Sequence, residues 1–244
     1  MENHLTPLQH DQKFCFNCSP HVKCFNNCCQ DLNQVLMPYD ILRLKKYLKL
    51  ASSDFLEKYT ITSIGSETGL PIISLKPAPG KEKLCPFVTP KGCLVYPARP
   101  SSCRAYPLAR ALSRSRESGR LTEYFALVKE SHCKGFSKGQ TWTVKQWIKS
   151  QDLELDFKIN DLLMEIISLK NQFIAGELGT KEKYLFRLAL YDIDQFRYHI
   201  QKKGVSVDSK IKAQKLHPIK TDDIDDIQLL IFAHKWVKKE LFNH

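Results

Sequence analysis

Hydrophobic and polar positions change their period twice along this chain. Residues 14–30 show neither a helical nor a strand period; they are rich in Cys and Asn and read as a loop wrapped around something. A helix is expected from Pro38, a residue suited to a first helical turn. There Ile41, Leu42, Leu44, Tyr47 and Leu48 form an apolar stripe at helical spacing. A short second helix is expected over 53–59, with Ser53 as its N-cap. The period then becomes that of strands. Runs at 60–66 and 71–76 flank the turn signal Thr68-Gly69, and runs at 85–88 and 93–96 flank Pro90-Lys91-Gly92. Runs at 108–112 and 121–128 are expected to pair around the polar stretch 113–120.

From about Thr141 the pattern is helical again. Helices are expected over 144–151, over 156–175 ending at Gly176, and over 181–203 ending at Gly204, glycine being the usual residue just past a helix end. A last helix is expected from Thr221, with Asp222 and Asp223 in its first turn and Lys238 and Lys239 near its end, an order that suits the helix dipole. Residues 205–220 read as a connector. The expected fold class is α+β. A cysteine-rich metal-binding core with a small antiparallel sheet and helices occupies residues 1–140, and an α-helical C-terminal region occupies 141–244.

Composition narrows the classes. With 43% hydrophobic and 26% charged residues in 244, the chain is a folding composition rather than a disordered one. It holds no run of about 18 apolar residues, so no membrane span is expected. The polar start, without an apolar secretory segment, points to the cytoplasm, where thiols stay reduced. Clustered cysteines in that setting favour metal or redox chemistry over disulfides.

The net charge is +11. Residues 81–150 hold fourteen basic and four acidic side chains, against eight and seven in 1–80 and fifteen and fifteen in 151–244. The excess therefore lies in the stretch that carries Cys85, Cys93, Cys103 and Cys133. This offers an alternative to nucleic-acid binding: basic residues can offset the charge of metal-bound thiolates.

Nine cysteines are present, five of them within fifteen residues: Cys15, Cys18, Cys24, Cys28 and Cys29. Short gaps let one loop present several thiolates to one metal. The bland alternative, thiols as small core hydrophobes, fits poorly in a loop so short of aliphatic residues. In an extended backbone the adjacent pair Cys28-Cys29 would point to opposite faces, so the two could serve different metals, or one could ligate while the other packs or reacts. Nine thiols suffice for two four-sulfur sites, with Cys15 the candidate left over. His21 and His132 sit beside cysteines and could each replace a thiolate. Thiolate sites suit zinc and iron–sulfur clusters alike.

The segment from Cys18 to Cys29, followed by LMPYDILRLKKYL, resembles the opening of the YkgJ-type, or CxxCxxCC, cysteine-cluster family. CPFVTPKGCLVYPARPSSCRAYPLAR at 85–110 resembles its second half, and the Cys133 region followed by TWTVKQW resembles a further feature. The gaps of five residues between Cys18 and Cys24 and three between Cys24 and Cys28 depart from the family name. The resemblance implies a zinc- or iron-chelating domain, with Cys18, Cys24, Cys28, Cys29, Cys85, Cys93, Cys103 and Cys133 as metal ligands. The family includes relatives of flagellin lysine N-methylase, and most members have no assigned reaction.

Arg99 and Arg104 are expected at the cofactor, first as compensators of thiolate charge and second as grips for an anionic substrate. Asp40 reads as a helix-dipole partner, Tyr96 and Tyr106 as packing beside the cysteines, and Trp142 and Trp147 as core or interface. No phosphate-binding loop, nucleophile elbow or HExxH is present.

Three functions follow, in this order. The first is a cysteine-ligated metal protein, with iron–sulfur ahead of zinc as cofactor, that could modify a protein side chain. The second is a structural-zinc interaction protein without catalysis. The third is a zinc-finger-like nucleic-acid binder. The expected partner is a protein or an anionic small molecule, with nucleic acid ranked last and no membrane.

Overall fold

A computed structural model describes residues 4–30, 32–80, 83–115, 117–136, 139–203 and 225–243. The strands are β1 (His4–Leu8), β2 (Lys13–Phe16), β3 (Val35–Leu36), β4 (Thr60–Ile64), β5 (Pro71–Leu75), β6 (Val88–Thr89), β7 (Gly92–Cys93), β8 (Leu108–Arg114), β9 (Leu121–Lys129) and β10 (Gln140–Thr143). The helices are α1 (Pro38–Leu48), α2 (Ser52–Tyr59), α3 (Ser101–Ala105), α4 (Val144–Ser150), α5 (Glu154–Asn160), α6 (Leu162–Phe173), α7 (Thr180–Leu190), α8 (Ile193–Lys202) and α9 (Asp226–Phe242). The fold is α+β. Among the described residues no helix is long and apolar enough to cross a membrane.

The chain forms two compact units, each from two segments: Met1–Leu32 with Ala78–Asp156, and Asn33–Pro77 with Phe157–His244. The sequence changes character near Thr141, whereas the packing divides the chain at 32/33, 77/78 and 156/157.

The first unit contains the cysteines. Its larger sheet has the order β1-β9-β8, all antiparallel, with Ala109 opposite Ala126. The expected 108–112/121–128 pair is present and extends to Arg114 and Lys129. β1 was not legible, because its polar run acquires a strand only by pairing along β9. A second ladder joins β2 to β10, placing Phe14 opposite Trp142 and Phe16 opposite Gln140. Here the expectation of no strand period from residue 14 is corrected. Phe14 and Phe16 alternate inward, 6% and 3% exposed, around the partly exposed Cys15.

Phe16 is the hub of an aromatic core. It meets Trp147 at 5.5 Å, Tyr106 at 5.7 Å and Phe136 at 5.2 Å between ring centroids, within the range of favourable aromatic pairs. Trp147 donates its indole N–H to the Ala105 carbonyl at 2.9 Å. The α4 start is a capping box. The Thr143 hydroxyl accepts from the Gln146 N–H, and the Gln146 side chain accepts from the Thr143 N–H.

The second unit packs α9 against α6 and α7, beside a small sheet of order β3-β5-β4. α1 starts at Pro38 as expected, and Asp40 accepts the Met37 N–H at 2.9 Å, so it is a cap at the helix start. α2 starts one residue before Ser53, and its N-cap is Ala51. The reason is tertiary: the Ser52 and Ser53 hydroxyls both donate to Asp192 instead of capping.

The same aspartate helps explain why the helix expected over 181–203 is two. α7 ends at Leu190, and Asp192 adopts a non-helical backbone while its carboxylate holds the two serines. The helix expected over 156–175 is likewise two, divided at Asp161 into α5 and α6. The expected connector at 205–220 lies outside the described residues, as do the Gly204 stop and the Thr221 start with Asp222 and Asp223. The described part of the last helix begins at Asp226.

Candidate metal centre

Four short segments of the first unit carry the thiols. Cys18 and Cys24 lie in the loop after β2. Cys28 and Cys29 lie in a 3-10 turn, Asn27–Cys29, that opens on Asn26 in the left-handed region at φ 70°. Asn tolerates that conformation, and its side-chain amide donates to the Thr89 carbonyl at 2.8 Å, anchoring the turn to the second cysteine loop. The Cys85 N–H donates to the Cys29 carbonyl at 2.9 Å. Cys103 sits on α3, and Cys133 follows β9. The Cys133 loop lies on the end of β2: the Asn17 N–H donates to the Gly135 carbonyl at 2.9 Å. A Cβ on Gly135 would stand 2.7 Å from both the Asn17 carbonyl oxygen and the Phe16 ring, so only glycine permits this approach.

These turns bring eight thiols into one connected group. Cys18 lies within electrostatic reach of Cys24, Cys28 and Cys133; Cys29 of Cys28, Cys85 and Cys103; and Cys85 of Cys93 and Cys28. Cys15 stands apart, with its thiol donating to the Gly139 carbonyl at 3.2 Å. All nine are free thiols and none is fully buried, so they are not core hydrophobes. The Cys28-Cys29 expectation is corrected. It assumed an extended backbone, whereas the 3-10 turn puts the two side chains in hydrogen-bond contact.

Burial pushes the thiols of Cys18, Cys85, Cys93 and Cys133 up. Backbone N–H groups oppose this in a recurring way. The N–H two residues on faces the sulfur at Cys85 (Phe87), Cys93 (Val95) and Cys133 (Gly135). The Lys134 N–H likewise donates to the Cys24 sulfur at 3.1 Å. Such donors stabilise a thiolate and have little use for a neutral thiol. The Cys29 thiol donates to Cys28, which lowers Cys28 to about 7 and raises Cys29.

Arg99 and Arg104 part company. The Arg99 guanidinium lowers Cys18, Cys28 and Cys93, stacks on the Tyr96 ring at 3.9 Å and donates to Gln151 at 2.8 Å. Its Nε is buried without a partner among the described residues. Arg104 is committed elsewhere. It is 5% exposed, ion-paired to the buried Asp156, and donates to the Gln151 and Asp152 carbonyls at 2.9 Å each. Its charge is balanced by a carboxylate and by carbonyl dipoles, which leaves it a structural role rather than one at the cofactor.

Glu130 was not legible as a neighbour of the thiols, whereas Tyr106 was expected to pack beside the cysteines. Glu130 lies within reach of Cys28 and Tyr106. The Tyr106 hydroxyl is buried beside Cys133 and Glu130, and burial raises its phenol strongly. Its place three residues after Cys103 is what led to the expectation that it packs beside the cysteines. His21 and His132 line one open cleft of about 660 Å³, together with Lys23, Lys134 and Cys24.

Among the described residues no three His, Cys, Asp or Glu side chains stand as a ready chelate. The fit to a metal is thus one of donor chemistry: eight soft sulfurs, N–H donors aimed at them and a guanidinium alongside.

Residues 17–134 match the model of the CxxCxxCC family, described as "Putative zinc- or iron-chelating domain". Residues 17–134 are a CxxCxxCC domain. The range takes in the eight connected cysteines and excludes Cys15. The CxxCxxCC domain falls in the first unit apart from Asn33–Pro77, which packs in the second. No curated protein and no solved structure matches the chain.

Proposed function

We propose that the CxxCxxCC domain holds its metal through Cys18, Cys24, Cys28, Cys29, Cys85, Cys93, Cys103 and Cys133, as an iron–sulfur centre that takes part in a reaction. The observation that carries this reading is the connected group of eight thiols with an open cleft at one member, Cys24. Structural zinc sites are closed, whereas reacting centres keep an open side. When bound, an iron–sulfur centre supplies electron-transfer chemistry.

The chain's own residues do the rest. Arg99 offsets thiolate charge, and Lys23 and Lys134 favour an anionic group in the cleft. Resemblance to relatives of flagellin lysine N-methylase extends the proposal to modification of a protein side chain, in the cytoplasm, where thiols stay reduced.

One observation favours the second reading, structural zinc. Residues 17–30 contain no fully buried side chain, so a metal would organise a loop that has no core of its own.

Anaerobic purification with assays for iron, acid-labile sulfide and zinc separates the two. Coloured protein with matching iron and sulfide is expected. Colourless protein with stoichiometric zinc and no iron overturns the iron–sulfur reading in favour of the second.

A further inference from the structure

The second unit holds a small pocket that the metal chemistry does not use. Its volume is about 250 Å³, and it lies between the β4–β5 turn and the segment after α6, with Gly65, Gly69, Glu67, Lys170, Gly176 and Glu177 in its wall. Lys170 is 4% exposed. Lysine is almost never buried to that degree without a partner, yet among the described residues Lys170 makes no ion pair and no side-chain hydrogen bond. Its position in the last turn of α6 suits the helix dipole. That accounts for the sign of its charge, and the side chain lines the pocket with no protein partner for its ammonium among the described residues.

The space beside Lys170 is kept open by glycine. Gly69 has φ +63°, and a Cβ there would stand 2.2 Å from the Gly176 carbonyl oxygen and 2.9 Å from the Lys170 Nζ. At the exposed rim the charge is of the other sign. Glu177 is paired with Lys183 at 2.6 Å, and Glu67 is solvent-facing. The pocket wall thus carries one cation, Lys170, and two carboxylates, Glu67 and Glu177, around a volume below that of drug-sized sites.

We infer that this pocket binds a small zwitterion of amino-acid size, its carboxylate on Lys170 and its ammonium toward Glu67. The site is independent of the metal centre.

The test is ligand titration by NMR on the full chain, with L-alanine, acetate and methylammonium as probes. L-Alanine is expected to bind about ten-fold or more tightly than either single-charge probe, as two charge-assisted contacts predict. Lys170→Met is expected to weaken alanine binding about ten-fold or more. Glu67→Gln, at an exposed position that leaves the fold intact, is expected to narrow the gap between alanine and acetate. Absence of alanine binding to the wild-type chain overturns the proposal. So does binding of acetate as tight as that of alanine, or alanine binding unchanged in both variants.

Discussion

The backbone N–H of Cys85 donates to the carbonyl of Cys29 at 2.9 Å. This bond ties the turn that carries Cys28 and Cys29 to the loop that carries Cys85 and Cys93. It joins the two halves of the cysteine pattern through the main chain, so their closeness does not depend on a side chain. The thiols themselves are then free to serve a metal.

Separate substitutions of the cysteines should therefore sort into two groups. Cys29→Ser and Cys85→Ser are expected to lose most of the bound metal, because each removes a sulfur from the connected group. Cys15→Ser is expected to keep it, because its thiol faces the Gly139 carbonyl. Metal-to-protein ratios by native mass spectrometry read the difference. Full loss of metal in Cys15→Ser would contradict the assignment.

Arg104 should matter for stability rather than for the cofactor. Arg104→Met leaves the buried Asp156 carboxylate uncompensated, with an expected cost of about 3–5 kcal/mol. Pairing it with Asp156→Leu should recover most of that, since a buried ion pair is often replaceable by apolar residues. Urea unfolding measures both variants. The double variant is expected to retain its metal content, a result that a compensator of thiolate charge would not give.

His234 should make the second unit acid-sensitive. Burial lowers it to about 4; its Nδ1 lies 2.8 Å from the Leu230 carbonyl, and its Nε2 is buried without a partner among the described residues. The folded form therefore holds the proton less well than the unfolded chain, where the value is near 6.5. Below about pH 6.5 the unfolded state takes up a proton that the folded state refuses. Stability should fall as pH drops from about 6.5 to about 4 and level off below, by about 3 kcal/mol at most. His234→Phe is expected to flatten that window in a series of denaturation curves.

Asp192→Ala should loosen the junction of α7 and α8. It removes the acceptor of both the Ser52 and the Ser53 hydroxyls, bonds of 2.6 and 3.0 Å. The expected cost is about 1–3 kcal/mol, the range for leaving buried donors unsatisfied. Hydrogen exchange at residues 52–56 and 190–196 is the direct readout.

Much of this was legible from local pattern. Helix α1, the β4–β5 and β8–β9 pairs and the tryptophan core position at Trp147 follow from period, turn signals and capping, which act over a few residues. Clustered cysteines were legible from spacing and composition, and the set of eight from the family resemblance. Their grouping was not, because it depends on backbone bonds between segments far apart in sequence. Glu130 entered only through that grouping, as a neighbour of Cys28.

By itself, the sequence determined the α+β class and the resemblance of residues 17–134 to the CxxCxxCC family, because those properties reside in residue type and spacing. Tertiary structure decided the matters that involve competition for a partner. Ser53 could cap a helix, but Asp192 takes its hydroxyl. Arg104 could grip an anionic substrate, but the Asp156 carboxylate already holds its guanidinium. Cys28 and Cys29 could point apart, but a 3-10 turn brings them together. In each case a local preference of about a kilocalorie yields to a contact made across the fold.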